Sequence, residues 1–212
     1  QIFVSANYNG NFYRVYKFDS DFNYLFEYPG PYGQASWGSV AIAADIPNNR
    51  LYIGNDGYYI GEHYEILVHD LTAGTYLGSF SPLGGEDVIC GDLCIFAGTL
   101  YSADGINRLI IKHDLATGSC LGSIDCNPYL PNWITLRAVR VDETGIWISA
   151  YKNTPLSTER YVYIKKIALD GSREIIAPAC EWMGAAVPGT APAKALRFGK
   201  PGWMDMKNSE NK

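Results

Sequence analysis

The amino-acid sequence predicts an all-β chain folded as a β-propeller of about four four-stranded blades, the first blade completed by a C-terminal strand. Three observations carry that expectation. Leu67 to Phe80 reads LVHDLTAGTYLGSF and Ile111 to Ile124 reads IKHDLATGSCLGSI, an internal repeat in which an apolar strand meets a tight turn and a second strand follows. Strand starts recur at residues 2, 51, 100 and 146, spaced 49, 49 and 46 apart, and a period in the high forties holding four strands is that of a propeller blade. Composition agrees: charged residues are only 18%, and 16 Tyr with 22 Gly suit pleated strands and tight turns. No helical periodicity longer than a turn or two competes.

The elements follow in order. The second strand of each unit is Ile2 to Asn7, Leu51 to Asp56, Leu100 to Asp104 and Ile146 to Ala150. The third ends at Asp19, Asp70, Asp114 and Asp170, whose carboxylates are expected to cap the next turn. Gly74 and Gly118 stand where that hairpin needs positive φ. The fourth strand is Tyr24 to Tyr28, Thr75 to Phe80, Ser119 to Ile124 and Arg173 to Ile176. The inner, first strand is Val40 to Ala44, Leu93 to Phe96 and Arg137 to Val141, and the first unit lacks one. The units therefore span about 1–30, 37–82, 87–126 and 133–178, within one domain of 1–188 followed by a tail of 189–212.

The segment LYSADGINRLIIKHDLATGSCLGSI resembles the blade repeat of the NHL and YVTN-type propellers. Those repeats run apolar-Tyr-x-Ala-Asp, Asn-Arg-apolar, then an apolar strand ending in Asp-x-x-Thr-Gly. The likeness is clearest over residues 51–124 and implies an architecture. Such propellers include binders, scaffolds and enzymes, so the resemblance implies no single activity.

The missing inner strand has a candidate at the other end of the chain. Trp37, Trp133 and Trp182 each precede the next strand start by 13 or 14 residues. Trp182-Met183-Gly184-Ala185-Ala186-Val187 thus takes the place of a closing strand, which would remove an exposed sheet edge. The alternatives are a longer propeller, a ring completed by two chains, or donation of the strand to a neighbour as an oligomer or filament.

Ligands of such propellers meet loops around the channel, and here those loops carry Tyr32, Trp37, Tyr58, Tyr59, Tyr129 and Trp133, with Trp182 equivalent in the last unit. Aromatic faces beside Asn and Asp suit carbohydrate or protein contact, although Trp37, Trp133 and Trp182 are also placed to wedge between blades. The expectation is a non-enzymatic binding or assembly module, secreted or at the cell surface. It would contact glycan or protein through the aromatic loops, or self-associate through strand edges. The alternative is a metal-dependent hydrolase or lactonase with ligands at the channel mouth. No catalytic or metal motif is present and no cofactor is expected; calcium could be held by loop carboxylates, but no spacing requires it. A net charge of -5 without a basic patch argues against nucleic acid, and no apolar run reaches membrane-helix length. The five cysteines read either as buried small hydrophobes or as one or two disulfides. The start at Gln1 reads as a processed form or a fragment.

Overall fold

The computed structural model describes residues 1–8, 12–28, 41–55, 65–82, 90–130, 135–152, 161–175 and 181–183. They form four antiparallel sheets in chain order. β1 (Ile2–Tyr8), β2 (Phe12–Phe18) and β3 (Tyr24–Glu27) make the first. β4 (Ala41–Asp45), β5 (Arg50–Asn55), β6 (Glu65–Asp70) and β7 (Tyr76–Phe80) make the second. β8 (Cys90–Phe96), β9 (Thr99–Asp104), β10 (Leu109–Asp114) and β11 (Cys120–Asp125) make the third, followed by a short 3-10 turn at Asn127–Tyr129. β12 (Thr135–Asp142), β13 (Gly145–Lys152), β14 (Tyr161–Ile167) and β15 (Glu174–Ile175) make the fourth, with β16 (Glu181–Met183) also pairing to β14. Among the described residues nothing pairs with the inner edge of β1, and no helix is long and apolar enough to cross a membrane.

Strand alternation explains how the sheets stack. Successive side chains point to opposite faces, so Leu51 and Ile53 of β5 meet Val15, Tyr28 and Phe3 of the first sheet. Tyr52 between them joins Leu93 and Leu100 of the third. In the third sheet Leu100 faces back, while Tyr101 and Ala103 face forward onto Val139, Ile146 and Ile148. Sheets two and three are therefore apolar on both faces.

Two expectations are corrected at the fourth unit. Its third strand ends at Ile167 and the turn opens at Ala168, not at Asp170, which lies inside the turn and accepts from the Ser172 amide at 2.9 Å. The turn keeps its length, since Ala168 N–H bonds Arg173 O as Asp70 N–H bonds Thr75 O, but its glycine stands one residue earlier: Gly171 N–H bonds Ala168 O three residues back, whereas Gly74 bonds Asp70 O four residues back. The fourth strand starts at Glu174 rather than Arg173, Ile176 lies outside the described residues, and the chain returns to the same edge of β14 further on. Six steps from Ile175 to Glu181 face three from Lys166 to Tyr163. Trp182 and Met183, the first two residues of the expected closing strand, pair with Val162 and Tyr161 in the fourth sheet rather than with β1. Gly184, Ala185, Ala186 and Val187 lie outside the described residues.

Candidate functional site

The joints between sheets follow one rule, and its exception marks the site. Each turn between third and fourth strands offers backbone carbonyls to the preceding sheet. Lys17 Nζ and the Tyr28 hydroxyl donate to Leu71 O at 2.6 and 2.8 Å. The Tyr52 hydroxyl and Arg50 Nη1 donate to Leu115 O at 2.7 and 3.0 Å. The Tyr129 hydroxyl donates to Gly171 O at 2.7 Å. A buried hydroxyl without a partner would cost about 1–3 kcal/mol, so these bonds set how adjacent sheets sit. The turns themselves are held by carboxylates. Asp70 Oδ1 accepts from the amides of Thr72 and Ala73, and Asp114 Oδ1 from those of Ala116 and Thr117. These bonds hold both carboxyls below their ordinary range.

The turn glycines are required twice over. Gly74 and Gly118 sit at φ +74 and +73, and a Cβ on either would stand 2.5 Å from a ring carbon of Phe26 or Phe80 on the preceding sheet. Gly171 is packed the same way by Ile124. In the first unit that position is Phe22, also left-handed at φ 62. The first turn is one residue shorter, so the Phe22 amide bonds Asp19 O three residues back where Gly74 bonds Asp70 O four back, but Phe22 stands just before the closing residue Asn23 as Gly74 stands just before Thr75. A bulky residue at positive φ is unusual, and this one stands in the turn that no sheet of the described residues covers.

Around Phe22 lies an aromatic face. The register Ile2↔Phe18 and Val4↔Tyr16, with Phe18↔Tyr24, puts these five side chains on the side of the first sheet away from the second. Tyr24 meets Tyr16 and Phe18 edge-on at 6.3 and 6.1 Å between ring centroids. Phe22 is 71% exposed, Tyr24 59% and Val4 37%. Tyr76, the counterpart of Tyr24 opposite His69, is 36% exposed in its covered sheet, so the difference reflects the missing neighbour. Leu25 does not belong to this face. It is the bulge residue of its outer strand, like Leu77 and Leu121, which are exposed too. Arg14 Nη1 and Glu27 Oε2, 3.0 Å apart, carry both charge signs on the face.

The far face of the fourth sheet is closed on itself. Lys166 holds the strand place of Lys17: it stands one residue before the partner of Ile146 in β13, as Lys17 stands one residue before the partner of Ile2 in β1. Lys17 reaches into the next unit, but Lys166 bonds Thr144 Oγ1 of its own sheet, lies 3.9 Å from Asp142 Oδ1 and covers the Trp147 ring at 4.6 Å. Trp147 Nε1 donates to Asp142 Oδ2 at 3.1 Å.

Of the aromatic residues expected at a ligand site, Tyr32, Trp37, Tyr58, Tyr59 and Trp133 lie outside the described residues, and Trp182 is described through its strand pairing alone. Tyr129 is packed between sheets three and four with its hydroxyl committed to Gly171. Among the described residues no group of three or more His, Cys, Asp or Glu is gathered as for a metal ion. Cys90, Cys94, Cys120 and Cys126 form no disulfide; Cys126 is buried, which pushes its thiol up to about 12. Sequence reasoning missed Phe22. The signal was present, since the turn DSDFN lacks the glycine that DLTAGT and DLATGS share.

With the geometry in place, comparison defines the class: four antiparallel sheets stacked in sequence, of the β-propeller fold. A Kuenenia stuttgartiensis hydrazine synthase structure, itself a propeller protein, aligns with a TM-score of 0.52 at 18% identity. The alignment covers 79% of this chain and 42% of that one, so the chain spans less than half the length of that relative. The Myxococcus xanthus glutaminyl cyclase aligns at a TM-score of 0.44 and 14% identity, over 78% of this chain and 74% of that one. No protein-family model matches the chain, and no curated protein matches it. The expected propeller fold stands, and the NHL and YVTN likeness stays at the level of architecture.

Proposed function

We propose that the chain is a non-enzymatic binding and assembly module that makes protein contacts through the open face of its first sheet. The observation that carries this reading is the exchange of glycine for an exposed Phe22 in the turn that, among the described residues, no other sheet covers. Large exposed aromatic side chains such as Phe22 and Tyr24 suit a protein interface, where Tyr and Phe are enriched. The surrounding chemistry supports protein over carbohydrate. The exposed Phe22 and Tyr24 are bordered by Ile2, Val4 and Phe18, while Asp19 and Asn23 in the turn are bonded to each other and Glu27 is paired with Arg14.

A photo-crosslinking amino acid placed at position 22 tests the reading, with position 121, an exposed leucine on the outer edge of the third sheet, as control. Under native conditions in the producing cell and in purified material, position 22 is expected to give discrete protein adducts and position 121 none. Absence of adducts at position 22 overturns the proposal.

A further inference from the structure

We infer that the open face of the first sheet is a two-fold interface, docking the same face of a second copy of this chain; the inference rests on the assembly reading above. The closest rival occupant is a sheet placed as the internal ones are, with its outer strand packed on the turn of the first unit. Phe22 blocks it. At Gly74 and Gly118 the preceding sheet approaches so near that a Cβ would come within 2.5 Å of a ring carbon. A whole phenylalanine at the corresponding place, in the same left-handed conformation, leaves no room for that approach. The fourth sheet is equally unsuited to supply it. Lys166, which would have to reach across as Lys17 reaches Leu71 O, is bound to Thr144 and covers Trp147 within its own sheet.

A second copy of the same face fits what remains. The apolar centre of Val4, Phe18 and Tyr24 is matched by an identical centre, and Phe22 projects from the turn to pack across the axis. The Arg14–Glu27 pair makes the rim self-complementary, since a two-fold axis can bring each copy's cation toward the other's carboxylate. A strongly basic or strongly acidic partner would leave one of the two charges opposed. Isologous contacts of this kind close at two chains. Three short strands about 4.8 Å apart offer a small footprint, so the interface lies near the low end of specific ones, about 1,000 Å² in total, and the dimer is expected to be reversible.

Sedimentation equilibrium of the purified full chain over a concentration series tests this, with Phe22→Asp, Tyr24→Lys and Leu121→Asp alongside. All three positions are exposed in the single chain, so folding should survive, and matching thermal melts check it. The expected result is a monomer–dimer equilibrium that stops at two chains. Phe22→Asp and Tyr24→Lys should each weaken it at least about tenfold, a loss of about 1.4 kcal/mol, and Leu121→Asp should leave it unchanged. A monomer at every concentration overturns the inference. So does growth beyond two chains, which is the mark of head-to-tail packing, or a dimer indifferent to Phe22→Asp. Should the purified chain stay monomeric while position 22 still crosslinks another protein, this inference falls and the binding reading stands; should neither occur, both fall.

Discussion

Phe22 and the glycines at its counterpart positions show one backbone conformation put to opposite uses. At Gly118 the left-handed turn lets the Phe80 ring sit where a Cβ would be. Gly118→Ala should therefore cost twice, about 1–2 kcal/mol for the conformation and about 1–3 kcal/mol for overpacking. Gly98, at φ +77 with open space around it, carries only the first cost. Denaturant melts of Gly118→Ala and Gly98→Ala should thus differ by about 1–3 kcal/mol, and equal losses would mean that Phe80 simply moves aside. His113 gives a second prediction at this scale. It is buried with Nε2 2.9 Å from Ser102 Oγ and its ring 5.3 Å from that of Phe80, and burial pushes its pKa down to about 4 from 6.5. In the unfolded chain the imidazole takes up a proton first as pH falls. Its contribution to stability is therefore complete above about 6.5 and is lost as pH drops toward 4, by at most roughly 3 kcal/mol. Unfolding midpoints of wild type and His113→Gln, compared at pH 7 and pH 4.5, should show a smaller acid loss in the variant. Parallel declines would place the acid sensitivity elsewhere.

Between elements, the inner strands β8 and β12 meet at one carboxylate, beside which Arg140 Nη1 also donates to Leu93 O at 3.3 Å. Asp92 Oδ2 accepts from the Val139 amide at 3.0 Å and from Arg140 Nη1 at 2.5 Å, while burial raises its pKa despite the arginine. The charge is thus less important than the acceptor. Asp92→Asn, which keeps an oxygen for the Val139 amide, should cost under about 1 kcal/mol, and Asp92→Ala, which leaves that amide unmet, about 1–3 kcal/mol. Urea titration at pH 7 separates the two; a larger loss in Asp92→Asn than in Asp92→Ala would show that charge dominates. The strands that carry these joints were legible in the sequence because the repeat fixed their spacing and apolar alternation fixed their faces, as at Leu51, Tyr52 and Ile53. The turn aspartates Asp19, Asp70 and Asp114 were legible too, since their short carboxylates can hardly do anything but accept from nearby amides. Asp170 misled because the fourth turn keeps its length but opens on Ala168, with the aspartate two residues further on, so reading the strand's end from the aspartate carried it into the turn. The bulges at Gly91 and Arg137 lengthened the inner strands beyond the sequence reading. What the sequence could not show was coverage. Tyr24 and Tyr76 read alike, and only the stacking order tells which of them faces water.

Coverage also sets how stability is distributed across the whole molecule. Sheets two and three share apolar clusters on both faces, while the first and fourth share one each. Opening an end sheet breaks a single layer, and opening a middle one breaks two, so local unfolding should run inward from the ends. Amide exchange should therefore be slowest at Ile53 and Ile111, both buried in middle sheets, and at least about tenfold faster at Tyr16 of β2 and Ile148 of β13, a gap of about 1.4 kcal/mol in opening energy. The two ends should then part company as protein concentration rises. A second copy docked on the first sheet covers its open face and binds only the closed state, so protection at Tyr16 should climb with concentration by mass action. Protection at Ile148 should stay where it was. Exchange at Tyr16 that is indifferent to concentration, in a chain that still shows slow middle sheets, would keep the layered stability and remove the dimer. Uniform exchange across all four sheets would instead mean that the stack opens as one unit, with the joints at Leu71, Leu115 and Gly171 coupling each sheet to the next more tightly than the clusters do.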